Sequence, residues 1–419
     1  MAIEDDVLVI GGGLAGMTAA LAAAAAGSSV RVVSKAESSL GHASGLLDVL
    51  GRIDGELVSD PYRAIARVDT DHPYAMLGTD RVRQAMDWFD GILGDAYTGD
   101  SHTNALVPTI AGTVTPTARY PRTMAAGLAS DDRSTLLVDI DRMPAVDAPL
   151  AAARLEAAGV PFSVRGASIT MPGLATDITR SHFARLVDRN ETIADEPIRD
   201  QLAAAIASVH DGEARIGFPA VLGLEQPAVV IDYLSAALDA DVFELPTDPP
   251  SVPGERLTRL LEAALDDAGV RMTAGVPIVD VNAADGRVRD VRGTHANTSV
   301  PYRADQYILA TGGLVGGGVV ADRSTVHEPL FGCHVSQPAD RADWYADTPA
   351  GPHAFPRFGV HTDHEMRPLE ADGMPTFVNL RAAGAVIGGA DFPAQHAGSG
   401  ISIATGWHAG RRAAEAIDR

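Results

Sequence analysis

Cysteine is nearly missing from this chain: among 419 residues only Cys333 is one. A lone thiol excludes an internal disulfide and cannot anchor an iron–sulfur cluster, so no such cluster is expected in this chain. A reducing cytoplasm suits that usage, and a small buried hydrophobe is a plainer role for Cys333 than redox chemistry. Lysine is as scarce. Lys35 is the only one, and 55 acidic residues against 33 Lys and Arg leave a net charge of −22. Nothing supplies the basic stripe that nucleic acid requires, so no nucleic-acid partner is expected. No basic n-region precedes an apolar h-region at the start, and glycines interrupt the longest apolar run. Neither a signal peptide nor a membrane-spanning helix is expected. His361 and His364 are the nearest approach to a metal pair, but no cluster completes the set and no metal is expected.

The acidic, lysine-poor, alanine-rich composition resembles that of proteins from salt-in halophiles, where high salt screens the self-repulsion. What is abundant is glycine, at 42 residues, and its placement is informative. Val7-Leu8-Val9-Ile10 reads as a buried parallel strand that runs into Gly11-Gly12-Gly13-Leu14-Ala15-Gly16. This is G-x-G-x-x-G at a strand-to-helix turn. Gly11 permits the tight turn, Gly13 admits a phosphate to the backbone, and Gly16 allows helix and strand to pack closely. Leu14 and Ala15, in the same turn, are counted as cofactor contacts, and the N–H groups and positive dipole end of the helix that follows would face that phosphate. Its alanine-rich body is read over Ala19 to Ala26, and Val30-Arg31-Val32-Val33 then completes a β-α-β unit. The acidic residue that ordinarily ends this second strand and holds a ribose hydroxyl is replaced by Ser34 and Lys35. A mononucleotide, or a dinucleotide held differently, therefore stays open.

Three further loops fit a flavin. His42, Ser44 and Gly45 lie in a Gly- and Ser-rich segment just after the second strand. Asp305 to Leu309 reads as a strand entering Ala310-Thr311-Gly312-Gly313, with Thr311 and Gly312 as contacts. Near the C-terminus, Gly388, Gly389 and Asp391 follow a strand, and Gly398, Ser399, Gly400 and Ile401 precede a helix read over Ser402 to Ile417. The dipole of that helix would stabilise negative charge on a reduced ring. Between Gly51 and Phe243 the β-α-β rhythm is expected to stop, with helices read over Asp80 to Ile92, Ala148 to Gly159 and much of Thr179 to Ala207. The rhythm resumes with a helix from Pro253 to Ala268 and a hairpin turning at Asp285-Gly286.

The expected fold is therefore α/β: a Rossmann-like, doubly wound FAD/NAD(P)-binding domain of the two-dinucleotide-fold flavoprotein type, with an inserted cap or substrate domain. Residues 1–50, 246–320 and 376–419 are assigned to the flavin-binding domain, 51–245 to the insertion, and 321–375 to a loop-rich, substrate-side segment.

With these residues in view, the chain resembles the B-subunit family of anaerobic glycerol-3-phosphate dehydrogenases along nearly its whole length. The likeness rests on Ile10 to Gly16, Ser44-Gly45-Leu46-Leu47-Asp48, Pro108 to Thr117, Phe218 to Leu224, Leu245 to Gly254, Ala382 to Gly389 and Gly398-Ser399-Gly400. It implies a flavin protein, usually assigned FMN with FAD as the alternative, in a complex of three different polypeptides. The A-subunit would be a second flavoprotein, and the C-subunit would be an iron–sulfur partner associated with the membrane. The implied reaction oxidises sn-glycerol 3-phosphate to dihydroxyacetone phosphate and sends electrons to a quinone. The implied location is cytoplasmic, at the inner face of the membrane through the partners. Ser34, in place of the usual acid, agrees with FMN, and Ala385 is a second departure for which Asp391 would compensate.

Oxidising a secondary alcohol needs a base and a cationic grip on the phosphate. His334, His353, Arg357 and His361 are candidates for the chemistry, and Arg119 and Arg122 for the anion, with no constellation that singles one out. An electron-relay or assembly role in the complex, or a different flavin oxidoreductase resembling fumarate reductase, are the alternatives.

Overall fold

The computed structural model describes residues 2–417 apart from 101, 142, 144–145, 176–177, 296–297 and 350. The chain divides into two units. The first comprises Met1–Ser38, Asp48–Leu93 and Leu261–Arg419, and the second Ser39–Leu47 and Gly94–Leu260.

The first unit is built on β1 (Ile3–Ile10), whose Val7, Leu8, Val9 and Ile10 are buried as a continuous apolar run. Helix α1 (Leu14–Ala25) follows at once and β2 (Val30–Val33) pairs parallel to β1, with Ile10 opposite Val33. Helix α2 (Thr79–Leu93) buries Val82, Ala85, Met86 and Phe89 along one face, as its helical spacing requires. After it come β3 (Arg271–Thr273), β4 (Ile278–Ala284), β5 (Arg287–His295), β6 (Thr298–Leu309) and β7 (Leu380–Ala382). The sheet runs β3-β2-β1-β6-β5-β4, and β7 also pairs with β6. Strand β6 serves several partners. Its first half pairs antiparallel with β5, and the stretch ending at Leu309 runs parallel to both β1 and β7. Asp285 and Gly286 both have positive φ, the two-residue turn read for the β4–β5 hairpin.

Helix α3 (Gly398–Glu415) closes the unit against α1. Contact is close because Gly406 and Gly410 face α1: a Cβ at either would lie 2.5 Å from the Ala15 carbonyl oxygen or 2.2 Å from that of Ala19. This helix starts one turn before the expected Ser402. Glycine is a poor helix former, which hides this start in the sequence. Packing requires it, since a Cβ at Gly400 would meet Tyr74 Oη at 2.3 Å. Helix α1 likewise starts at Leu14, ahead of its alanine run.

The second unit overturns the expectation that β-α-β alternation stops after Gly51. It holds four parallel strands in the order Val164–Ile169, Thr135–Ile140, Arg215–Pro219 and Asp241–Leu245. Helices Ala148–Ala157, Arg180–Arg189, Ile198–Ala207 and Pro227–Leu238 lie between them in the chain. The strand at Leu136 to Ile140 is readable from its sequence despite the buried Asp139, but the alternation is hidden further on because charged residues occupy buried positions of the later strands: Arg215 and Glu244. Arg215 shows how such a charge is tolerated. Its Nη1 donates to the carbonyls of Ala126 and Leu128, each at 3.2 Å, and its Nη2 to those of Asp131 and Arg133, each at 3.0 Å. Its guanidinium also lies 4.9 Å from the Phe162 ring centroid.

Candidate functional site

At the carboxyl ends of β1, β6 and β7, three glycine-containing segments of the first unit touch one another. Gly11 has φ +120°, and a Cβ there would lie 2.1 Å from the Ala310 carbonyl oxygen, so the fingerprint turn is pressed against the segment leaving β6. Ala310 N donates to Ile10 O at 2.9 Å. A Cβ at Gly16 would lie 2.0 Å from Gly11 O, the close helix–strand packing read from sequence. A Cβ at Gly313 would lie 2.7 Å from Ala385 O, and one at Gly384 2.6 Å from Ala15 Cβ, which joins the C-terminal loop to both.

Gly13 differs from its neighbours. A Cβ there would meet nothing within 4 Å. It is the N-cap of α1, without a side-chain cap and with no acidic residue in the first turn. The Leu14, Ala15 and Gly16 amides therefore point from a helix start that lacks a protein anion, with the dipole favouring a negative group. Helix α3 starts in the same way at Ala397, with neither a side-chain cap nor an acid in its first turn. Thr311 Oγ1 beside the cradle is buried without a hydrogen-bond partner. These features fit a phosphate-bearing cofactor.

The remaining cofactor candidates are distributed as follows. Ser34 Oγ donates to Ala36 O at 2.9 Å, and Lys35 Nζ donates to Gly316 O at 2.8 Å, so Lys35 binds the glycine loop after Gly312. Gly388 N donates to Val360 O, and Gly389 N to Arg357 O. Gly389 has φ +92° and passes so close to Asp71 that a Cβ would lie 2.1 Å from its carbonyl oxygen. Asp391 caps the short helix Phe392–Gln395 by accepting from Ala394 N at 3.1 Å. Gly400 N donates to Asp48 O at 2.7 Å, Ser399 lies in the same first turn of α3, and Ile401 is buried. His42, Ser44 and Gly45 belong to the second unit. There His42 is exposed at the end of a 3-10 turn, and Ser44 Oγ accepts from Leu46 N at 3.3 Å. Gly45 backs onto Pro253, where a Cβ would come within 2.5 Å.

Two of the catalytic candidates come together: the antiparallel pairing of Val335 with Val360 puts His334 and His361 at facing positions one residue further on. His334 is exposed beside the buried Cys333, whose thiol pKa is pushed up by burial. His353 is engaged within its own loop: Nδ1 accepts from Ala346 N at 3.0 Å, and Nε2 lies 2.9 Å from Pro349 O. His361 is half-buried, and its carbonyl accepts from Leu369 N. Arg357 Nη2 donates to Asp69 at 2.6 Å and to Asp71 at 3.3 Å, so its cation is already paired. Among the described residues, no group of three His, Cys, Asp or Glu is placed to hold a metal.

The two arginines of the second unit are each engaged by backbone carbonyls. Arg119 is buried and pairs through its backbone with Leu47, while Nη1 donates to Asp100 O and Ala118 O. Arg122 is exposed, with Nε donating to Asp95 O at 2.8 Å.

A group absent from the sequence reading lies beside Gly389 and α3. His72 is buried, its Nδ1 accepts from Tyr74 N at 3.0 Å, and burial lowers its pKa to about 4. Tyr74, also buried, donates from Oη to Val49 O at 2.8 Å. The available signal was His72-Pro73, a cap followed by a proline at the first position of a short helix.

A model of the FAD-binding domain family matches residues 6–401. The chain is 50% identical to a probable anaerobic glycerol-3-phosphate dehydrogenase B-subunit of Halobacterium salinarum, over 100% of this chain and 99% of that one. It is 29% identical to the anaerobic glycerol-3-phosphate dehydrogenase B-subunit of Vibrio cholerae, over 96% and 95%. A flavocytochrome c3 fumarate reductase in its open conformation is 12% identical with a TM-score of 0.45, over 99% of this chain and 78% of that one. That last likeness is too remote to carry an argument about the site. The family match makes a flavin the expected cofactor and gives FMN, the first choice from sequence, no support over FAD.

Proposed function

Since this chain belongs to the FAD-binding domain family and to the B-subunit family of anaerobic glycerol-3-phosphate dehydrogenases, we propose that it is the flavin-bearing component of such a dehydrogenase. The cofactor is FAD. Gly13 and the amides of Leu14 to Gly16 would hold its pyrophosphate, and the first turn of α3 would meet its ring. The observation that carries this reading is the pair of helix starts, at Gly13 and Ala397, that no protein side chain caps. The chain takes part in oxidising sn-glycerol 3-phosphate to dihydroxyacetone phosphate. When bound, the flavin supplies an acceptor for the hydride leaving C2, and the hydroxyl proton goes to a base. Electrons continue through an iron–sulfur protein to a quinone. The partners are a second flavoprotein and that iron–sulfur protein, which holds the complex at the inner face of the membrane. Among the described residues no helix is long and apolar enough to cross one.

A second reading has its own support. Arg119, Arg122 and Arg357 are each engaged by the protein, so none is an uncommitted grip for a phosphate. This favours a relay, in which substrate is oxidised on the second flavoprotein and electrons pass through the flavin held here.

The test is the visible spectrum of the purified chain in high salt, before and after anaerobic glycerol 3-phosphate. Bleaching of an oxidised-flavin band by substrate alone is the expected result for a dehydrogenase in its own right. Bleaching only after the second flavoprotein is added establishes the relay. Folded, freshly prepared protein that carries no flavin and takes up none rejects both.

A further inference from the structure

We propose that the first unit carries a binding site for a small organic anion bearing a phosphate or carboxylate group, in the cavity between α2 and the C-terminal half of α3. These two helices pack against each other within the unit. The cavity measures about 310 Å³, room for a small organic molecule rather than a bare ion. Arg81 reaches it from α2, and Trp407, Arg411 and Arg412 from α3, while Glu365 and Glu415 are the carboxylates that line it.

In a chain of net charge −22, this cavity carries an excess of positive charge. Three arginines meet two glutamates, and one arginine takes up most of what the glutamates offer. Arg412 donates from Nε to Glu365 at 2.7 Å, and its two terminal nitrogens pair with Glu365 and Glu415. Arg411 is left with a 3.4 Å contact to Glu415, its side chain half-exposed and its guanidinium 4.8 Å from the Trp407 ring centroid. Arg81 is exposed and has no carboxylate. Its Nη1 donates to Leu77 O at 2.9 Å, and among the described residues no acid pairs with it. Arg381, buried and bonded through Nη1 to the neutral Gln306 Oε1 at 2.6 Å, also draws on Glu365. Burial lowers the pKa of His408 at the cavity, and the charges of Arg81 and Arg412 lower it further.

Arg81 is the informative member because of where it stands. Cations near a helix C-terminus complement the dipole, which accounts for Arg411 and Arg412 without any ligand. Arg81 lies in the first turn of α2, where the dipole disfavours a cation. Asp80 precedes it, but adjacent side chains on a helix do not face each other, and Asp80 does not line the cavity. An oxyanion in the cavity offsets this arrangement, and guanidinium forks match the oxygens of phosphate and carboxylate. The cavity is remote from the helix start proposed to meet the flavin, since Arg411 lies about 20 Å along α3 from Gly398. Its ligand is therefore not the molecule oxidised at the flavin, and the site stands independently of the proposed dehydrogenase function.

The experiment uses the full chain in high potassium chloride, where unspecific attraction between exposed charges is screened within a few ångströms. Three probes of similar length are titrated by calorimetry: phosphoglycolate, glutarate and the neutral pentanediol. At least one of the two anions is expected to bind, the tighter one naming the preferred headgroup, and pentanediol is expected not to. Arg81→Gln and Arg411→Gln should each weaken anion binding roughly tenfold. Arg292→Gln, a change at an exposed arginine of β5, should leave it unchanged. Without anion, Arg81→Gln should keep or raise the melting temperature, because it removes a cation from the positive end of α2. Added anion should raise the melting temperature of the parent chain more than that of Arg81→Gln, a difference from which general salt effects cancel. If one cavity variant does not fold, the other carries the test. The proposal is overturned if the folded chain binds neither anion, or binds pentanediol as tightly. It is equally overturned if the cavity variants bind anion as the parent does, or if Arg292→Gln weakens binding as much as they do.

Discussion

Both units contain parallel strands joined through helices, yet α1 and α3 of the first start without the carboxylates that meet two helix starts of the second. In the second unit the protein supplies its own anions. Asp139 accepts from Ala148 N at 2.5 Å at the start of one helix. Asp188 accepts from the amides of Leu224, Glu225 and Gln226, at 2.6, 2.8 and 3.0 Å, just ahead of the helix Pro227–Leu238. Glu244, buried at the end of its strand, accepts from Leu222 N at 2.8 Å and pairs with Arg256 at 2.6 Å. In the first unit, Gly13 and Ala397 cap α1 and α3 without any side-chain acceptor. One architecture thus yields a self-satisfied sheet or an anion site, according to whether the residue at the turn carries a carboxylate or no side chain at all.

The largest effect should come from exposing a buried anion of the second unit. Arg256→Met leaves Glu244 buried and unpaired, which should cost about 3–5 kcal/mol by denaturant unfolding. A loss below about 1 kcal/mol would mean that Glu244 is not held by this pair, and the contrast between units would weaken.

Acid should act on the first unit. Burial lowers the pKa of His72 to about 4, and those of His396 and His408 are lowered as well, again chiefly by burial. The unfolded chain then binds more protons than the folded one between about pH 6.5 and 4. Stability is complete above that window and falls as pH drops through it, by up to about 3 kcal/mol for His72. Hydrogen exchange across this range should show the first unit opening before the second. His72→Gln should flatten the slope, and an unchanged slope would remove His72 from the account.

The smallest change in stability carries the sharpest test. Gly13 has φ −83° and open space where a Cβ would stand, so a larger residue fits there. Gly13→Asp gives α1 the kind of cap the second unit uses. The free chain should gain a few tenths of a kcal/mol, while flavin content falls to background. Retained flavin in that variant would show that the cofactor's phosphates do not lie at this helix start.

Much of the first unit was legible because its information is local. Val7 to Gly16 places an apolar strand, a glycine turn and a helix start in ten consecutive residues. Asp285-Gly286 likewise encodes its hairpin by itself. The second unit was legible only in part: the strand at Leu136 to Ile140 and the helices within Ala148 to Gly159 and Thr179 to Ala207 could be read, but the strands Arg215–Pro219 and Asp241–Leu245 carry the buried charges Arg215 and Glu244. A buried charge reads as a surface residue until its partners are known. Those partners are the carbonyls of Ala126, Leu128, Asp131 and Arg133 for Arg215, and Arg256 for Glu244. Arg119 and Arg122, the candidates for the anion, are engaged by the carbonyls of Asp100, Ala118 and Asp95, contacts that no local pattern encodes. Arg357, a candidate for the chemistry, is paired by Asp69 and Asp71, which lie far from it in the chain.

By itself the sequence determined the nucleotide turn, the acidic surface suited to high salt and the family resemblance, because each follows from neighbouring residues or from composition. Only the tertiary structure decided which charges are uncommitted and which helix starts remain open. It also decided which hydroxyls, such as that of Tyr97, are buried without a partner. These depend on satisfying buried polar groups across long sequence separations, and no local pattern encodes that balance.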